Sequence, residues 1–183
     1  MNKSLKILFL YNGIFIFAAN LLGPLYAKYV EKLDTGIFSI SLTWAVFLIS
    51  STIFTYFVAK YGDRFKKKEY MLLIGYLIRS IVWMLFIFIT DVTSLIIVQI
   101  LLGVGEAFGN PAFDSIFAEH LDRNRHVADY ADYKIVEKLA LALATLVGGA
   151  IVNIYGFNVL FILMSVFSFI PVIGIFLKPK ILE

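Results

Sequence analysis

The chain has 183 residues, of which 61% are hydrophobic and 16% charged, and its mean hydropathy is +0.88. A soluble domain runs roughly 45–50% apolar and about 25% charged, so water is not the solvent for most of these side chains. The net charge of +3 comes from basic residues that flank apolar runs, which reads as a membrane-topology signal and not as a nucleic-acid surface. The absence of cysteine excludes disulfides, thiolate metal sites and cysteine nucleophiles.

Six apolar runs fill the chain, each close to the ~20 residues that cross a bilayer. They predict helical spans over 7–27, 37–59, 70–89, 92–117, 135–154 and 157–177. Membrane-barrel strands are about half that length and alternate, so a barrel is excluded. The first run is too long for a signal peptide and lacks a clear cleavage site, so it counts as a span. It carries Asn12 and Asn20, eight residues apart. The second connection is dense in charge, with Lys60, Asp63, Arg64, Lys66, Lys67 and Lys68. Span three contains one charge, Arg79, about ten residues in. Residues 91–94 form a tight turn.

Span four is the least uniform. Gly103, Gly105, Glu106, Gly109, Asn110 and Pro111 lie within it, with Asp114 and Glu119 toward its end. The connection at 120–134 is the longest, and Val127, Tyr130 and Tyr133 recur there at helical spacing, which predicts a short surface helix. Span five contains Glu137, Lys138 and the pair Gly148-Gly149, and a tight turn at 155–158 leads into span six. The whole chain, 1–183, therefore reads as one all-α transmembrane domain of six helices.

Twelve Lys and Arg residues fall on one side of this arrangement, and only Lys28 and Lys32 on the other. The positive-inside rule then puts both termini in the cytoplasm of a multi-pass cell-membrane protein. Short connections make successive spans antiparallel neighbours.

Glu106 is the leading functional candidate. A charge at bilayer centre costs roughly 2.5–3.5 kcal/mol on insertion scales, so it should face a cavity or a partner. It reads as a substrate or proton site, or as the structural partner of Arg79 at similar depth. Asn110 lies one turn from Glu106, and Pro111 removes a backbone donor beside it, so a bend next to a wet cavity is expected. Asn20 is a further cavity candidate, whereas Asn12 is better read as a bond between helices. Asp114, Glu119, Arg123, Glu137 and Lys138 form either a charge network or a set of snorkelling head groups. Gly105 and Gly109 make a GxxxG step, a packing signal in a membrane helix. The glycine string misses the dinucleotide spacing and follows no strand. His120 and His126 form no metal site, and Trp44 and Trp83 have no assignable role. No nucleophile–base pair, metal spacing or phosphate loop is present, so neither an enzyme nor a cofactor is expected.

The sequence Asp63-Arg64 followed by Lys67-Lys68, in the link between spans two and three, resembles motif A of the major facilitator superfamily, although Ala59 and Lys66 stand at its glycine positions. Gly103, Gly105, Gly109, Asn110 and Pro111 resemble that family's fourth span. Gly148-Gly149 and Tyr155-Gly156-Phe157 also fit, so the resemblance covers the whole chain. Gln99, where many proton-coupled members carry arginine, and Ala144-Thr145, where antiporters often have Gly-Pro, weaken the case for proton antiport.

The resemblance implies a 3+3 inverted repeat equivalent to one half of a twelve-span transporter. It implies alternating-access transport of a small molecule by a parallel homodimer, since six spans put both termini on one side and allow a closed two-fold pair. The alternatives are a non-transporting scaffold, one half of a hetero-oligomer, or truncation of a longer reading frame. It also assigns Asp63, Arg64, Lys67 and Lys68 to a gate, in which Asp63 meets the start of span five of the other copy near residues 131–134. The substrate is not readable.

Overall fold

A computed structural model describes residues 3–64, 67–121 and 124–177. The helices are α1 (Lys3–Asn20), α2 (Tyr26–Val30), α3 (Ile37–Tyr61), α4 (Lys68–Leu85), α5 (Val92–Glu119), α6 (His126–Tyr155) and α7 (Phe157–Leu177). Six stretches are long and apolar enough to cross a membrane: Leu5–Val30, Ile37–Arg64, Lys68–Phe88, Val92–Glu119, His126–Tyr155 and Phe157–Leu177. Helices suit these sequences because each satisfies its own backbone polar groups where lipid offers none.

Two helix ends have readable local causes. Asp91 caps α5, its Oδ1 accepting from the Ser94 N–H at 2.9 Å. The Ser94 bonds hold the Asp91 carboxyl below the usual carboxylate range. Its folded value is lowered, so the cap is complete above the unfolded value and fades as pH falls through the folded one. Gly156, at φ +81°, lets α6 pass into α7 across a single residue.

The structure revises two expectations. The first span is not one helix. α1 stops at Asn20, a 3-10 turn covers Gly23–Leu25, and α2 resumes. Pro24 has no N–H to offer the preceding turn, and Gly23 sits at φ +23°. The surface helix expected within 120–134 is continuous with span five, so α6 starts at His126. Asn124, at φ 67°, reverses the chain, and no Gly or Pro interrupts the helix before Gly148. Tyr133 packs on Phe9 and Phe113 at 5.5 and 5.1 Å between ring centroids, and Tyr130 packs on Phe117 at 4.7 Å. α5 runs through Pro111 as a helix.

Contacts between helices follow a two-fold pattern. α5 packs on α3 and α4, α1 packs on α6 and α7, and α4 packs on α7. Exchanging the first three spans for the last three reproduces this set, and three spans per unit invert the direction of the chain. That is the 3+3 inverted repeat. The loops around Arg64 and Asn124 lie at the end rich in basic residues, called here the basic end. The turns near Asp34, Asp91 and Gly156 lie at the far end.

The helices meet through glycine. A Cβ on Gly75 of α4 would lie 2.5 Å from Gly109 Cα and 2.7 Å from Gly105 O. A Cβ on Gly148 of α6 would fall on the Leu21 carbonyl, whereas one on Gly149 meets nothing within 4 Å. Small residues let membrane helices approach in this way. Because the obstacle at Gly148 is backbone, Gly148→Ala should destabilise by about 1–3 kcal/mol. Gly149→Ala should be neutral. Melting of the two purified variants in detergent checks this, and equal midpoints would contradict the close contact of α6 with the first span.

Candidate functional site

Four of the six spans have 44% of their most apolar stretch buried, but the α3 span has only 17% and the α6 span 11%. These two helices flank an open face to which α1 and α5 both contribute residues. The polar residues of the membrane interior gather on that face.

Two cavities open along it. The far-end cavity, about 390 Å³, is walled by Trp44 and Phe47 of α3, Trp83 and Phe86 at the end of span three, Tyr26, and Met164 of α7. The cavity toward the basic end, about 240 Å³, is walled by Asn12, Tyr76, Asn110, Asp114, Tyr133 and Glu137. Asn20, Arg79 and Glu106 line both. The far cavity is therefore mainly aromatic, the other is polar and acidic, and the midplane charges sit where they join.

Arg79 reaches that junction because α5 has no side chain in its way. A Cβ on Gly105 would lie 2.6 Å from Arg79 Cγ. The guanidinium lies over Phe15 at 4.8 Å and Trp83 at 5.5 Å, as a cation does over ring faces. Its Nε is buried without a hydrogen-bond partner. Glu106, half-buried, acts on Arg79 electrostatically. Among the described residues the two form no ion pair within 4 Å, and no hydrogen bond holds the Glu106 carboxylate.

Two hydrogen-bonded chains tie the wall together. Toward the basic end, Tyr76 OH donates to Asn12 Oδ1 at 2.6 Å, and Asn12 Nδ2 donates to Tyr133 OH at 3.2 Å. This links α4, α1 and α6. Toward the far end, Gln99 Nε2 donates to Tyr26 OH at 2.5 Å, and Tyr26 OH donates to Thr43 Oγ1 at 2.6 Å. This links α5, α2 and α3. Tyr76, Tyr26 and Gln99 are buried. Sequence reasoning missed these tyrosines, and the aromatic wall around Trp44 and Trp83, because aromatic residues are spread throughout the chain and none is marked by spacing.

The remaining expected residues separate into groups. Asn20, Arg79, Glu106 and Asn110 all line the polar cavity, as do Asp114 and Glu137. Glu137 accepts from Lys134 at 2.6 Å. Glu119 instead pairs with Lys68, joining the end of α5 to the start of α4. Lys138 is exposed on α6 outside these pairs, and Arg123 lies outside the described residues. Asp63 is exposed in the turn Gly62–Arg64 and borders a cleft of about 290 Å³ between α3, α4 and α5. It makes no ion pair among the described residues. Arg64 lies over Tyr61, and Lys67 over Tyr70.

Tyr76→Phe would leave Asn12 Oδ1 buried without its donor, at a cost of about 1–3 kcal/mol. Melting of Tyr76→Phe, Asn12→Leu and the double variant should show coupling of at least about 0.5 kcal/mol. Additive effects would contradict the bond.

The family model described as Major Facilitator Superfamily matches residues 8–181. No curated protein matches by sequence. Among solved structures, a peptide transporter POT in complex with sulfate superposes with a TM-score of 0.79 at 20% identity, over 98% of this chain and 38% of that one. The POT family transporter PepTSo superposes with a TM-score of 0.77 at 13% identity, again over 98% and 38%. The chain thus spans well under half the length of the transporters whose fold it shares.

Proposed function

For a chain that belongs to the major facilitator superfamily, we propose secondary active transport of a small molecule by alternating access, carried out by a parallel homodimer of this six-helix unit. The observation that carries the reading is the open wall: two cavities on one face, meeting at Arg79 and Glu106 and covered by none of the described residues. Exposed Asn110 and Asp114 lie on that wall, and polar groups facing hydrocarbon are costly. A second copy related by a two-fold axis along the membrane normal would cover them with its own wall. The far and basic-end cavities lie on either side of the shared midplane residues, so rocking of the two copies would open one while closing the other.

The distribution of basic residues supports a cytoplasmic location for the basic end and both termini. In that orientation Asp63 belongs to a cytoplasmic gate. Its partner is the N-terminus of α6 in the second copy, where a helix carries partial positive charge. Since α6 starts at His126, the contact shifts from residues 131–134 to the first turn, where Val127 is 85% exposed.

The cysteine-free sequence makes a clean test possible. Asp63→Cys combined with Val127→Cys should give an oxidation-dependent covalent dimer in native membranes, and neither single variant should. A purified protein that transports as a monomer in lipid nanodiscs would exclude the dimer. In proteoliposomes holding a trapped pH-sensitive dye, Glu106→Gln should lower solute-driven flux at least about tenfold while keeping the fold. Undiminished flux would remove Glu106 from the mechanism. A wild-type chain that passes no solute from a broad panel, yet co-purifies with a different membrane protein, would favour a scaffold or hetero-oligomer.

A further inference from the structure

The far cavity has a definite chemical preference. One side of it is flat and aromatic, formed by Trp44, Phe47, Trp83 and Phe86. Its opening toward the midplane holds Glu106, a carboxylate that accepts hydrogen bonds and that no donor among the described residues satisfies. We propose that this cavity, on the reading above of the wall as a transport pathway, takes a bulky organic monocation, whose charge is met by Glu106 and whose apolar body lies against those four rings.

Charge around the joined cavities favours this assignment over an anion. Glu106, Asp114, Glu137 and Arg79 are the charged groups that line them. Lys134 offsets Glu137. Arg79 offsets Glu106 where the two cavities join, and the remaining negative charge, Asp114, lines the adjoining basic-end cavity. The Arg79 stem lies against Gly105, and its positive charge is met by the Phe15 and Trp83 rings and by the field of Glu106. The amides of Gln99 and Asn20, which also line the far cavity, donate to Tyr26 OH and to Ile16 O. Ring faces, in contrast, attract a cation within about 6 Å of their centroids. A neutral ligand of the same shape would gain the apolar contact but leave Glu106 unmatched.

Tetraphenylphosphonium and tetraphenylborate share a shape and differ in the sign of their charge. Calorimetric titration of the purified full chain in detergent should show saturable binding of the phosphonium, at least about tenfold tighter than that of the borate. Glu106→Gln should weaken the phosphonium at least about tenfold without weakening the borate, and Phe47→Leu should weaken the phosphonium as well. Equal affinity for the two ions, or tighter borate binding, would overturn the proposal. That comparison needs only the wild-type chain, so it decides even where a variant fails to fold. The outcome is separable from transport itself: cation-selective binding without flux would remove the transport reading and leave the site, and flux without cation preference would do the reverse.

Discussion

Two backbones meet where Gly75 of α4 lies over Gly105 and Gly109 of α5, with no side chain between them. The position of Arg79 at the midplane depends on that contact. It draws span three close enough for Arg79 to cross the face of α5, and Gly105 leaves room for the Arg79 stem to do so. A larger residue at either place would hold Arg79 away from Glu106 and strand both charges in apolar surroundings. The same glycines that serve packing in a membrane helix therefore also set the electrostatics of the midplane.

Around that crossing the polar groups are arranged by depth. Buried bonds among Gln99, Tyr26 and Thr43 stiffen the far end, and bonds among Tyr76, Asn12 and Tyr133 stiffen the basic end. Each chain of bonds ties one of the flanking helices, α3 or α6, to the central pair. The level between them has no such tie: Glu106 and Asn110 are left to the cavities. Rigid ends and an unfilled middle are what a wall needs if it is to move as one body while its centre exchanges partners.

Much of this was legible residue by residue. The spans, the tight turns at 91–94 and 155–158 and the packing role of Gly105 and Gly109 follow from local chemistry. Where the sequence reading went astray, a local signal was overruled by packing or overlooked. The polar stretch before 135 reads as a loop, but Tyr130 and Tyr133 find an aromatic cluster with Phe9, Phe113 and Phe117 and draw α6 out to His126. Pro24 and Gly23 break the first span within an otherwise uninterrupted apolar run. Asn12 and Asn20 are separate cases, already read apart in the sequence: Asn12 is buried in a bonded chain, whereas Asn20 bonds to Ile16 O in its own helix and lines both cavities.

Position along a helix translates directly into depth, at about 1.5 Å per residue. For that reason the sequence alone determined six spans, their alternating directions, the sorting of basic residues to one end, and an acid and an arginine at matching depth. Rotation about each helix axis is a different matter. Apart from α4, these helices are apolar on nearly all sides, so no stripe marks which face is inward. Only the tertiary structure decided that Glu106, Arg79 and Asn20 share one wall, that Trp44 and Trp83 face the same cavity, and that Glu119 turns away to Lys68. Those choices rest on backbone contacts between residues far apart in the chain, and no local pattern encodes them.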